Sequence, residues 1–210
     1  MRKAIEKNAR ILALFAIACT ATVGLVNELT KGKIARQEQA QLLKTLHDII
    51  DPEIVNNDLY QSCLLVTDEL LGNNEPHTVY LAKHDEKPVA AAITTTAPDG
   101  YSGNIELIVA LNYDGTVSGV RTLKHQETPG LGDKVEIKKS DWITSFTDKL
   151  VTADNQHQWA VSKDGGMFDQ FTGATITPRA VVKAVKNTAL YFQQHKAELF
   201  SRTDSCRENL

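Results

Sequence analysis

Residues 11–26 carry no charge and no proline, and Asn27-Glu28-Leu29 lengthens the run before Lys31. As a helix, this stretch would measure about 24 to 28 Å, slightly short of the roughly 30 Å hydrocarbon core of a bilayer. Arg10 and Lys31 are placed to reach the two interfaces. The pattern predicts a transmembrane anchor over residues 11–29. Beyond it, Leu42, Leu43, Leu46, Ile49 and Ile50 recur at helical spacing, so a second, amphipathic helix is expected over residues 36–50, ended by Asp51-Pro52.

The pattern then changes period. Residues 64–66, 78–82 and 89–96 read as short strands separated by turn-rich segments at 72–76 and 84–88. The clearest hairpin joins residues 105–111 to 116–123 through Asn112-Tyr113-Asp114-Gly115, where Asp-Gly suits the positive φ of a tight turn. Residues 135–151, with Ile137, Trp142, Ile143, Phe146 and Leu150, suggest a partly helical segment lying over the sheet, and Trp159-Ala160-Val161 suggests one more strand. Thr177 followed by Pro178 predicts a capped helix start. Val181, Val182, Val185, Ala189 and Phe192 give that helix one apolar face to about residue 199. The predicted class is α+β: an N-terminal transmembrane helix, then a mainly antiparallel sheet packed by helices. The expected divisions are a cytoplasmic tail (1–10), the anchor (11–29), a helical linker (30–60), a globular domain (61–200) and a polar, frayed tail (201–210).

Composition narrows the function classes. At 210 residues, 42% hydrophobic and 23% charged, the chain is long enough to bury a core. The net charge of −3 is uneven: the first ten residues carry +3, which leaves −6 on the remainder. A mildly acidic body argues against a nucleic-acid partner.

Two cleavage readings compete with the anchor. Ala16-Ile17-Ala18 resembles a signal-peptidase site, and Cys19 is open to lipidation, but either reading leaves an apolar region of only five residues. Basic residues flank the run on both sides, so charge alone scarcely orients it. A short N-terminal tail normally stays in the cytoplasm, which puts the body in the periplasm. Cys63 and Cys206 are the only candidates for a bond outside the span, and neither the cysteines nor the six histidines show metal-ligand spacing.

The candidate chemistry lies before the last helix, at Asp169-Gln170-Phe171-Thr172-Gly173-Ala174-Thr175. A hydroxyl on a Gly-Ala turn ahead of a helix N-terminus, with Arg179 in the first turn, describes either an anion seat or an ordinary turn and cap. The full string matches the D-x-x-[ST]-G-A-T pattern that flavin transferases recognise, and the chain resembles the G subunit of Rnf/Rsx electron-transport complexes. The resemblance extends through the N-terminal run, His125-Gln126-Glu127-Thr128-Pro129-Gly130-Leu131-Gly132, Ser140-Asp141-Trp142-Ile143 and residues 159–182. The C subunit of the sodium-pumping NADH:quinone reductase shares the same flavin-binding domain.

The resemblance implies FMN esterified through its phosphate to Thr175 by a flavin transferase, with Thr172, Gly173 and Ala174 making room. Asp169 is expected to cap the turn or orient Thr175. Glu127 and Thr128 are expected to contact the flavin, with Leu131 over its face. His125 is expected to be structural or at the flavin edge. The implied role is an electron relay in the inner membrane, working with other subunits of a complex that couples electron transfer to ion movement, rather than a self-contained enzyme. A flavin-free assembly module is the alternative of a different class.

Overall fold

The computed structural model describes residues 2–206; Met1 of the expected cytoplasmic tail and residues 207–210 of the expected polar tail lie outside the described residues. The chain divides into two compact units, Met1–Lys44 and Thr45–Leu210. Helix α1 spans Arg2–Ile49, with no break between the expected anchor and the expected amphipathic helix. Within the first unit, Leu12, Leu14, Phe15, Ile17, Val23, Leu25, Val26 and Leu29 are all exposed. The Thr22 and Thr30 hydroxyls donate to the Ala18 and Val26 carbonyls, each at 2.8 Å, so neither needs water. This helix is long and apolar enough to cross a bilayer, and none of its apolar stretch is buried in protein, as the expected anchor requires.

The second unit is built on a five-stranded meander: β1 (Cys63–Asp68), β2 (Asn73–His84), β3 (Lys87–Ala97), β4 (Ile105–Asn112) and β5 (Val117–Lys124), each antiparallel to the next. The β4–β5 hairpin turns where expected, with Gly115 at φ 98°. The expected loop at 72–76 is mostly strand. Pro76 is accommodated because the β1–β2 register shifts beside it, and a proline at a bulge costs no ladder bond.

One sheet face carries Leu64, Val79, Leu81, Ile93, Ile105, Leu107, Val109 and Leu111. Helix α2 (Ile176–Ser201) packs on it through Ala180, Val181, Ala184, Val185, Ala189 and Phe192. The other face, with Tyr80, Ala82, Ala90, Ala92, Ile108 and Ala110, is buried as well. The last turn of α1 and the residue after it help cover it: Leu46, Ile49 and Ile50 are at most 3% exposed, and the Ser118 hydroxyl donates to the Ile49 carbonyl at 2.6 Å. Gly119 permits this approach, since a Cβ there would lie 3.0 Å from Ile49.

Between β5 and α2 the chain forms 3-10 turns rather than long elements, notably Gly132–Val135 and Asp141–Phe146. Residues 159–161 form no strand; Val161 makes only an isolated bridge to Phe168. Side-chain packing shapes this region instead, through Trp142, Phe146, Trp159, Phe168 and Phe171 with ring centroids 4.5 to 6.2 Å apart. Ile137 and Leu150, expected over the sheet, are 41% and 38% exposed. The tail is tied down rather than frayed as far as Cys206, which forms a disulfide with Cys63 at a Cα–Cα distance of 5.3 Å.

Candidate functional site

The aromatic cluster holds the candidate turn in place. Phe171 is buried edge-on against Trp142, whose indole N–H donates to the Asp169 carbonyl at 2.8 Å. Residues 171–174 then close tightly, the Ala174 N–H meeting the Phe171 carbonyl at 3.2 Å. Gly173, at φ 81°, supplies the left-handed conformation the turn requires.

Helix α2 begins at Ile176, earlier than the expected start after Thr177. Pro178 does not delay it, because a proline in the first turn lacks only an N–H that has no partner inside the helix. Thr175 is therefore the N-cap residue itself. Its backbone is αR (φ −92°, ψ −20°) instead of extended, and its hydroxyl makes no capping bond. The first backbone amides of α2 have no partners within the helix, Pro178 contributes none, and the positive end of the helix dipole lies beside them.

Thr175 opens onto a cavity of about 290 Å³ with three walls. Tyr101, from the β3–β4 loop, supplies one. Glu127, Thr128, Leu131 and Gly132, after β5, supply the second. Residues 173–177 supply the third. Tyr101, Leu131 and Ile176 are 67%, 42% and 44% exposed, so apolar side chains stand at the cavity. Gly173 is open toward it; a Cβ there would meet only the Leu131 Cδ2, at 3.5 Å.

Of the residues singled out from the sequence, the fold brings Thr175, Gly173, Ala174, Glu127, Thr128 and Leu131 to this cavity. Thr172 and Asp169 are exposed and lie outside its lining. Gly132, the end of the loop over residues 127–132 that was expected at the site, lines the cavity as well. Tyr101, Ile176 and Thr177 were not anticipated as site residues, although Ile176 and Thr177 directly follow the Gly-Ala-Thr string. Tyr101, in a separate loop, has no sequence signal.

Arg179, expected beside the anion seat, is instead engaged by Asp164 through two bonds of 2.5 and 2.6 Å. This pairing lowers the pKa of the Asp164 carboxyl and raises that of the guanidinium. His125 links the strand end to the following turn through both ring nitrogens. Its Nδ1 accepts the Glu127 backbone N–H at 3.0 Å, so the ring proton is on Nε2, which donates to Glu136 at 2.7 Å.

An unengaged hydroxyl, a helix N-terminus, and a cavity with both apolar and polar lining suit a flat aromatic ring bearing a phosphate. Comparison with known proteins agrees with this chemistry. Residues 100–189 match the FMN-binding domain family, a span that contains every residue of the cavity, and residues 1–49 match the RnfG N-terminal region. A similar protein of Shewanella amazonensis, named as the G subunit of an ion-translocating oxidoreductase complex, is 54% identical over 207 residues, 98% of this chain and 96% of the relative. Proteins of the same name in Vibrio cholerae and Yersinia pestis are each 52% identical, over 206 and 209 residues, and cover 98% and 100% of this chain and 99% and 100% of the relatives.

Proposed function

Because the chain belongs to the family of ion-translocating oxidoreductase complex G subunits, anchored in the membrane and carrying an FMN-binding domain, we propose that it holds FMN covalently on Thr175 and relays electrons between neighbouring subunits from the periplasmic side of the inner membrane. Membership implies that other subunits of the complex are its partners. The observation that carries the covalent reading is Thr175: it stands at the N-cap of α2, its hydroxyl makes no capping bond, and the residue lines the cavity.

Each residue has a definable part. During maturation by a flavin transferase, Thr175 Oγ gives up its proton and forms the ester bond to the FMN phosphorus of FAD, as the pyrophosphate P–O–P bond breaks and AMP leaves with that proton. The resulting diester keeps one negative charge, which the unpaired amides and dipole of α2 stabilise. Gly173 and Ala174 let the bulky group approach the backbone, and Leu131, Ile176 and Tyr101 shelter a ring from water. When bound, FMN supplies the electron-transfer chemistry. Attachment matters outside the cytoplasm, where a dissociated flavin would not be replaced from a free pool. The disulfide between Cys63 and Cys206 supports the periplasmic assignment, since such bonds persist in oxidising compartments.

The test is a denaturing gel of protein expressed with an active flavin transferase. Flavin fluorescence is expected on the band near 23.1 kDa in the wild type and not in Thr175→Ala. A dark wild-type band would sink the covalent relay and favour the flavin-free assembly module. For orientation, protease added to spheroplasts is expected to digest the body; protection until lysis would place it in the cytoplasm.

A further inference from the structure

Glu127 is 4% exposed, and both of its carboxylate oxygens are taken by the protein. Oε1 accepts the Ser102 backbone N–H at 2.9 Å, and Oε2 accepts the Thr177 hydroxyl. Two glycines press against it: a Cβ at Gly132 would lie 2.7 Å from Oε2, and one at Gly100 would lie 3.1 Å from Oε1. Ser102 adjoins Tyr101, Gly132 adjoins Leu131, and Thr177 lies two residues after Thr175. One buried carboxylate thus ties together the three segments that wall the cavity, and it forms part of the wall itself.

Resting on the reading that FMN is carried by Thr175, we propose that Glu127 is a positioning residue which joins these segments into a site competent for loading, and whose negative charge holds the flavin at a lower reduction potential. The first part follows from hydrogen-bond accounting. A group buried to this extent and bonded to two separate segments leaves donors unpaired in both when it is removed. The second follows from charge. Adding electrons beside a buried negative group is opposed, and the opposition is strong where little water screens it.

The two parts separate experimentally in the full-length protein. Glu127→Gln keeps the shape and both ties, because the amide oxygen can accept from Ser102 while the amide N–H donates to the Thr177 hydroxyl, which both donates and accepts. It loses only the charge. Thr177→Val keeps the charge and volume but breaks one tie, and Glu127→Ala removes everything. In-gel flavin fluorescence per mole of protein measures loading, and spectroelectrochemical titration of the loaded protein measures the potential.

Glu127→Gln is expected to load as wild type and to titrate at a more positive potential. Thr177→Val is expected to load more slowly by about fivefold or more, and Glu127→Ala to load least. Wild-type loading in Thr177→Val, defective loading in Glu127→Gln, or an unshifted potential in Glu127→Gln would each overturn the proposal. If circular dichroism shows that Glu127→Ala does not fold, the two near-isosteric variants still decide it. A dark wild-type band means that the covalent reading has failed and this proposal with it, whereas a bright wild type beside unaltered variants means that only the role of Glu127 has failed.

Discussion

At the scale of single residues, the site depends on small side chains as much as on reactive ones. Gly132 faces Glu127 Oε2 and Thr177 Oγ1 at 2.7 and 2.8 Å from where its Cβ would be. Gly132→Ala must push these groups apart, and a loss of roughly 1 to 3 kcal/mol is expected from urea denaturation, with slower flavin loading. His77 makes a different prediction. It is 5% exposed, and its Nε2 meets Asn73 Oδ1 at 2.9 Å. Burial lowers its pKa below the usual 6.5, against the opposing pull of Glu106 and Glu75. The unfolded chain therefore takes the proton first. Stability is full above the unfolded pKa, falls as the pH drops through it, and stops falling once the folded histidine is protonated. In His77→Gln this decline is expected to be shallower in denaturation curves taken between about pH 5 and 8. The Gly-Ala-Thr string was legible because its chemistry is local. The role of Glu127 as a tie was not, because its partners are 25 and 50 residues away in sequence.

At the scale of elements, α2 joins the site to the rest of the body. Its N-terminus presents Thr175, and its C-terminus leads into the segment that runs beside β1, an edge strand. There the Arg202 guanidinium donates to the Leu65 carbonyl at 3.1 Å, and the Cys206 N–H donates to the Cys63 carbonyl at 2.8 Å, so the tail occupies groups that an edge strand would otherwise expose. The disulfide spans a sequence separation of 143 residues. For so long a loop, its removal is expected to cost about 2 to 5 kcal/mol. Cys206→Ser should lower the denaturation midpoint by that equivalent yet load flavin normally, since the cavity is at the other end of α2. Helix periodicity foretold α2 and the strand pattern foretold the β4–β5 hairpin. The 3-10 turns over residues 132–164 escaped because aromatic packing, rather than a repeating pattern, dictates their path.

At the scale of the molecule, the boundary between the two units has a measurable consequence. Leu46, Ile49 and Ile50 belong to the body, although the first two lie in the helix that contains the membrane span and Ile50 directly follows it. A chain lacking residues 1–44 is expected to leave the membrane fraction and to melt cooperatively. One lacking residues 1–50 also loses three buried aliphatic side chains, and is expected to be less stable by roughly 5 kcal/mol or more. Equal stability of the two truncations by urea denaturation would contradict that division. The sequence by itself determined the anchor, the α+β class, the principal hairpin, the family and the Thr175 turn, because each is written in neighbouring residues: an uncharged run, a period, or a contiguous motif. Tertiary structure decided that α1 ends on the sheet, that Cys63 meets Cys206, that Arg179 belongs to Asp164, and that Tyr101 and Thr177 join the cavity. These contacts unite segments far apart in the chain, and which distant groups meet is set by how the sheet and helices pack.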